Sequence, residues 1–182
     1  MMKQDKTYEI ERKFLLKNLP KVNFDRDKFI LQYYLKTEKE GLAERVRLVV
    51  EEGDKKTYFY TRKEHISGNI NEEFEKEITE DEFFEYQKKA HKFITKNRFI
   101  INDGERDWEI DLFVNIHLII AEVEFIANSD TVDSVNKEVE EYPIPDFIQE
   151  CMIEEVSNSK KFSNESLSTE YIHQDNIIGH FS

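Results

Sequence analysis

The sequence predicts an α+β chain that is mainly β, with eight antiparallel strands forming a barrel or a sandwich and a few helices packed outside. Three observations carry this expectation. Apolar and charged residues alternate with period two in eight short segments. Turn signals such as Glu52-Gly-Asp-Lys55, Ser67-Gly-Asn69 and Asn102-Asp-Gly104 separate several of them. Helical spacing of apolar residues is confined to three stretches beyond residue 78.

The elements follow in order. Residues i and i+2 of a strand share a face, so strand 7–16 sets Glu9, Glu11 and Lys13 on one side and Ile10 and Phe14 on the other. Strand 29–36 carries Gln32-Tyr-Tyr-Leu35. Strand 43–51 places Arg45 and Arg47 opposite Val46, Leu48 and Val50, and strand 56–64 presents Lys63. Strand 70–78 puts Glu73, Glu75 and Glu77 opposite Phe74 and Ile78. Thr79-Glu-Asp-Glu82 is a capping box, after which Phe83, Tyr86, Ala90 and Phe93 recur on one helical face. Strand 96–102 presents Arg98; strand 106–114 sets Glu109 and Asp111 opposite Trp108, Ile110 and Leu112; strand 117–127 sets Glu122 and Glu124 opposite Ala121, Val123 and Phe125. A second helix starts near Asp130, with Val132, Val135, Val139 and Tyr142 at helical spacing, and Pro143 ends it. A short third helix follows Pro145 through Phe147, Ile148 and Met152.

Composition narrows the partners. The 182 residues suit one domain, expected over 1–170 with a loosely specified tail at 171–182. With 38% hydrophobic and 13% aromatic residues the chain has more core-forming material than a disordered acidic segment. The stretch Ile116 to Phe125 is broken by His117, Glu122 and Glu124, short of the roughly 20 apolar residues of a membrane span. The N-terminus lacks the apolar stretch of a secretory signal, and Cys151 alone provides no internal disulfide and no Cys-based zinc site. Both point to the cytoplasm, with no membrane partner and a monomer or homodimer. Twenty-six Lys and Arg against 39 Asp and Glu give a net charge of −13, which argues against nucleic acid on the outer surface. His65, His91, His117, His173 and His180 show no metal-ligand spacing.

Charged second faces also occur on ordinary half-exposed sheets. Here, however, whole faces concentrate carboxylates on some strands and Arg or Lys on others. Enclosed together, such groups must be wet, internally paired, or built around metal ions and a polyanion, because an unpaired buried charge costs several kcal/mol. The i, i+2 pairs Glu9/Glu11 and Glu122/Glu124 offer hard oxygen ligands suited to Mg²⁺ or Mn²⁺. Arg and Lys suit phosphate oxygens, Arg as a bidentate fork and Lys as a point charge.

The opening Glu9-Ile-Glu-Arg-Lys13 resembles the ExExK signature of CYTH domains, the triphosphate tunnel metalloenzymes. The resemblance continues in order through Gln32-Tyr-Tyr-Leu35, Arg45-Val-Arg47, Thr61-Arg-Lys63, Glu73-Phe-Glu-Lys-Glu-Ile78, Lys96-Asn-Arg98-Phe99, Trp108-Glu-Ile-Asp-Leu-Phe113, Ala121-Glu-Val-Glu-Phe125 and the late segment Val156 to Asn164. It implies a closed eight-stranded antiparallel tunnel that binds a linear triphosphate with divalent metal. The implied metal ligands are Glu9, Glu11, Glu122 and Glu124, with Glu75 and Asp111 as further candidates. The implied phosphate cradle is Lys13, Arg45, Arg47, Lys63, Arg98 and Lys161, and the implied catalytic set is Glu9, Glu11, Lys13 and Lys63. The substrate would be tripolyphosphate, thiamine triphosphate or a nucleoside triphosphate, hydrolysed with Mg²⁺ or Mn²⁺. A class IV adenylyl cyclase is the alternative activity, and a non-catalytic polyphosphate or nucleotide sensor the alternative of another class. Three positions depart from the pattern: Lys161 stands where Arg is usual, Ser159 where Asp is common, and Asn71 where Arg is frequent.

Overall fold

Residues 6–172 are described by a computed structural model; His173, His180 and the rest of the expected tail from 173 on lie outside the described residues. The strands are β1 (Tyr8–Leu16), β2 (Arg26–Leu35), β3 (Leu42–Glu51), β4 (Lys55–Ser67), β5 (Ile70–Ile78), β6 (Ala90–Asn102), β7 (Asp107–Phe113), β8 (Ile119–Ala127) and the short β9 (Met152–Glu155) and β10 (Thr169–Glu170). The helices are α1 (Glu80–Gln87), α2 (Val132–Glu141), α3 (Asp146–Gln149) and α4 (Asn164–Leu167). Antiparallel pairing runs β6-β2-β3-β4-β5-β1-β8-β7, and a β6–β7 ladder closes the ring into an eight-stranded barrel. β9 adds to β1 and β10 to β6, both outside the ring. No helix of the described residues is long and apolar enough to cross a membrane.

The apolar core lies outside the barrel wall. Ile10, Phe14, Trp108, Ile110, Val123 and Phe125 form the outer faces of β1, β7 and β8, and they pack against Val139 of α2 and Ile148 of α3. A second cluster joins Tyr33, Val46, Tyr58 and Ile78 to Phe83 of α1. α1 starts at the expected capping box, with Thr79 Oγ1 accepting from the Glu82 amide at 3.2 Å and Glu82 accepting from the Thr79 amide at 2.8 Å. With most of the hydrophobic layer on the helix side, the inner face carries the charged groups together with a smaller apolar cluster. Cys151 is buried in the same outer layer, where burial pushes its thiol up and leaves it a packing residue.

Three local expectations are corrected. α1 ends at Gln87, so Ala90 and Phe93 belong to β6, which starts at Ala90 rather than near 96. Their helical spacing was a coincidence, overridden by pairing with β2 down to Leu35↔Ala90. The third helix stops at Gln149, and Met152 instead pairs with Leu16 in β9. Phe74, expected on the core side of β5, is 45% exposed because no helix covers that stretch of the wall.

One wall is locally incomplete. β1 pairs with β8 along its whole length, Tyr8↔Ala127 to Leu16↔Ile119, but with β5 only through Tyr8↔Glu72, Glu9↔Asn71 and Ile10↔Ile70. Past Tyr8 the contact continues as the Glu73 amide donating to the Thr7 carbonyl at 3.3 Å, and among the described residues a notch opens beside the start of β1. The lumen is also plugged on one side by Tyr34, Ile94, Phe113 and Ile120, with Phe162 and Leu167 of the late segment packed on them.

Candidate functional site

Register delivers the charged side chains to one another. β1–β8 pairing sets Lys13 opposite Glu122 and Glu11 opposite Glu124; β4–β5 sets Lys63 opposite Glu73 and Thr61 opposite Glu75; β6–β7 sets Arg98 opposite Asp111. Glu9, Glu11, Lys13, Arg45, Arg98, Asp111 and Glu122 are all buried despite their charge. Lys13 Nζ lies 3.1 Å from Glu11 Oε1 and 3.4 Å from Glu122 Oε1. Lys63 contacts Glu9 directly and lies 3.7 Å from both Glu11 and Glu73. Arg45 Nη2 is 3.7 Å from Glu73, and Arg47 Nε donates to Gln32 Oε1 at 3.0 Å.

Deepest in the wall, Asp111 accepts from Arg98 Nε at 2.7 Å, Arg98 Nη2 at 2.8 Å and Lys96 Nζ at 2.5 Å. Both its oxygens are therefore engaged by cations. Glu75 accepts from Thr61 Oγ1 at 2.8 Å. The structure thus brings Glu9, Glu11, Glu122, Glu124, Glu75 and Asp111 into one lumen with Lys13, Arg45, Arg47, Lys63 and Arg98. It does not bring Lys161 there: that residue is exposed, and its neighbour Lys160 lines the mouth instead.

The electrostatics divide the lumen. Burial opposes charge on Lys13, but Glu122 and Glu11 outweigh it and hold the amine well above its ordinary value; Glu11 and Glu9 do the same for Lys63. Burial alone would raise Glu9 and Asp111, yet Lys63 holds Glu9 low and Arg98 with Lys96 holds Asp111 low. Elsewhere burial wins. Glu73 is pushed up to about 7 by burial and by Glu9, against the pull of Arg45, and Glu124 is pushed up to about 10 by burial and by a hydrogen bond to charged Glu9. Lys96, fully buried, is pushed down to about 8 in spite of Asp111.

Among the described residues, no group of three or more His, Cys, Asp or Glu side chains is already arranged to hold a metal ion. The donor chemistry still fits a hard divalent cation. Glu73 Oε2 is buried without a hydrogen-bond donor, its nearest cations 3.7 Å away, and burial together with charged Glu9 pushes its neighbour Glu124 up. A cation among these carboxylates would remove that conflict.

Among the described residues, cavities open into the barrel at several places. A mouth of about 660 Å³ lies between the β2–β3 connection, where Gly41 takes φ +76°, and the late segment from Lys160 to Ser166; Glu11, Lys13, Arg45 and Lys63 form its floor. The notch beside β1 holds about 550 Å³ and is lined by Glu9, Glu73, Glu75 and Glu124. A smaller opening of about 180 Å³ reaches Arg47, Arg98, Glu75 and Glu109.

No family model and no curated protein matches the chain. Solved structures do. The inorganic triphosphatase NE1496 shares 24% identity at a TM-score of 0.53, covering 92% of this chain and 95% of that one. The protein PH1819 of Pyrococcus horikoshii OT3 shares 17% identity at a TM-score of 0.66, covering 87% and 97%. A candidate adenylate cyclase of Vibrio parahaemolyticus shares 14% identity at a TM-score of 0.51, covering 72% and 84%. These likenesses establish a shared barrel fold.

Sequence reasoning gave no role to Lys96, Gln32 or Thr61. Lys96 was within reach of strand alternation, because it sits two residues before Arg98 and so shares its lumen face. Gln32, fully buried, binds Arg47 through Oε1 and donates from Nε2 to the Tyr34 hydroxyl at 2.6 Å. Its neutral side chain gives no charge signal, and only the Gln32↔Arg47 register reveals it.

Proposed function

We propose that this protein is a divalent-metal-dependent hydrolase of inorganic triphosphate or a similarly small organic triphosphate. The observation that carries the reading is the sorted lumen, in which Lys13, Arg45, Lys63 and Arg98 are interleaved with Glu9, Glu11, Glu122 and Asp111. The fold shared with an inorganic triphosphatase supports it.

Glu9, Glu11, Glu122 and Glu124 would hold Mg²⁺ or Mn²⁺, with Glu75 as a further ligand; the bound ion supplies Lewis-acid neutralisation of phosphate oxygens and acidifies water. Arg45, Arg47 and Arg98 fork onto phosphate oxygens, and Lys13 and Lys63 add point charges. The latter two amines keep their protons, because Glu122, Glu11 and Glu9 hold them charged. They therefore stabilise charge and do not act as bases. Lys96 Nζ is buried and donates to Asp111 and Asn164, so it holds the Arg98–Asp111 cluster in place behind the lumen.

The test is product analysis. Purified protein is incubated with Mg²⁺ or Mn²⁺ and tripolyphosphate, thiamine triphosphate or ATP in parallel, and phosphate, pyrophosphate and cyclic AMP are measured. Phosphate with pyrophosphate from tripolyphosphate is the expected result. Cyclic AMP from ATP would replace this reading with a cyclase, and saturable binding without product would replace it with a sensor.

A further inference from the structure

Arg45, Arg47 and Arg98 all reach the lumen, but they are not held alike. Arg45 lies 3.7 Å from Glu73, and Arg98 forks onto Asp111 and contacts Glu109. Among the described residues no carboxylate ion-pairs with Arg47; its Nε donates at 3.0 Å to the neutral Oε1 of Gln32. Resting on the hydrolase reading, we propose that Gln32 is a positioning residue of the polyanion site, one that aims the Arg47 guanidinium into the lumen without supplying a charge that would neutralise it.

The arrangement follows from strand geometry. Gln32 and Tyr34 share one face of β2, and the ladder with β3 sets Gln32 opposite Arg47 and Tyr34 opposite Arg45. Gln32 is fully buried, so both ends of its amide need partners. A guanidinium offers only donors, which turns the amide oxygen toward Arg47 and leaves the amide nitrogen to donate to the Tyr34 hydroxyl at 2.6 Å. Tyr34 is itself buried and packed among Ile94, Phe113 and Ile120. The apolar plug of the lumen therefore orients Gln32, and Gln32 orients Arg47. With Nε occupied, the Nη1 and Nη2 end of the fork is left for an anion, in the opening that Arg98 also lines.

The neutrality of the amide matters. Burial and then the neighbouring Arg45 and Arg98 disfavour charge on Arg47, against a weaker pull from Glu75 and Glu73. A carboxylate at position 32 would satisfy Arg47 internally and repel phosphate. The amide instead leaves Arg47 short of an anion until the polyanion arrives.

Steady-state kinetics with tripolyphosphate and Mg²⁺ separate this role from packing, with circular dichroism to check each variant's fold. Gln32→Leu removes the acceptor and should raise KM about tenfold, with kcat changing less. Gln32→Glu keeps the shape and the acceptor but adds charge, and should raise KM further, by about 100-fold. A packing residue would give the opposite order, because Gln32→Glu would then be the milder change. In an Arg47→Ala background Gln32→Leu should move KM by less than about twofold, since its effect passes through Arg47. Tyr34→Phe deletes one buried oxygen and should raise KM about threefold. Gln32→Glu and Tyr34→Phe decide the question if Gln32→Leu does not fold. A Gln32→Glu KM near that of the wild type, or an undiminished Gln32→Leu effect in the Arg47→Ala background, overturns the positioning role alone. Binding without turnover overturns the hydrolase reading alone, and the same ranking is then read in the Kd by calorimetry. Wild-type protein that neither binds nor hydrolyses tripolyphosphate overturns both.

Discussion

Asp111 and Glu73 are both acidic residues on inner faces of barrel strands, each opposite a cation in the next strand. At Asp111 the Arg98 fork and the Lys96 ammonium converge within 2.8 Å, and the carboxyl is held low. At Glu73 the nearest cations, Arg45 and Lys63, stand 3.7 Å away, Glu9 is a neighbour, and the carboxyl rises to about 7. The first region is a closed ion cluster built into the wall. The second is a group of carboxylates short of positive charge. Burial is costly in both, and partner geometry decides whether the charge survives.

Removing the charge at each place should therefore have different consequences. Asp111→Asn leaves Lys96 and Arg98 buried without their anion, and a loss of about 3–5 kcal/mol is expected, read as a lower urea midpoint at unchanged slope. Glu73→Gln should cost less than about 1 kcal/mol, since it replaces a carboxyl that burial already tends to neutralise. Equal losses at the two sites would break the comparison.

Glu9 belongs to the second region, paired with Lys63 yet crowding Glu73 and Glu124. Glu9→Gln should lower metal-dependent turnover more than about 100-fold, exceeding the roughly 10–100-fold typical of groups behind a metal ligand. Calorimetry should show Mn²⁺ affinity falling with it while circular dichroism stays constant. Unchanged turnover would remove Glu9 from the mechanism.

The barrel was legible because alternation marks faces, and the faces of β1, β3, β7 and β8 followed it. What alternation does not encode is which inner residues lie at the same height. Asp111 and Glu75 look alike as acidic inner positions, yet Asp111 is sequestered by Lys96 and Arg98 while Glu75 is bonded by a neutral hydroxyl. That difference comes from cross-strand register. The notch was equally hidden, since it depends on where β1 begins along β5 and not on either strand's composition.

The electrostatic contrast also sets a pH dependence. The folded chain holds the Glu73 proton up to about 7, whereas an unfolded glutamate releases it near 4.3, so stability falls as pH rises between those values. Glu124, raised to about 10, acts in the same direction. Asp111 and Glu122 are lowered, so their contribution is lost only as pH drops below the ordinary carboxylate range. The melting temperature of metal-free protein should thus decline from about pH 5 to about 7, with each proton contributing up to about 1.4 kcal/mol per pH unit. Glu73→Gln should flatten that slope. A slope unaffected by the substitution would show that Glu73 is not the group crowded by Glu9.

The smallest expected effect tests the edge of the site. Lys160 and Lys161 are adjacent, but Lys160 lines the basic mouth, whereas Lys161 is exposed with its Nζ 5.8 Å from the Phe162 ring. A surface substitution away from buried features changes free energies by about 0.5 kcal/mol or less, so Lys161→Ala should alter the KM for tripolyphosphate by less than about 2.5-fold. Lys160→Ala should raise it further, because that charge borders the path to Lys13 and Lys63. A Lys161 effect as large as that of Lys160 would mean that the segment around Phe162 turns when the polyanion binds. The acidic and basic ends of the lumen would then be separated by a moving element rather than by strand register alone.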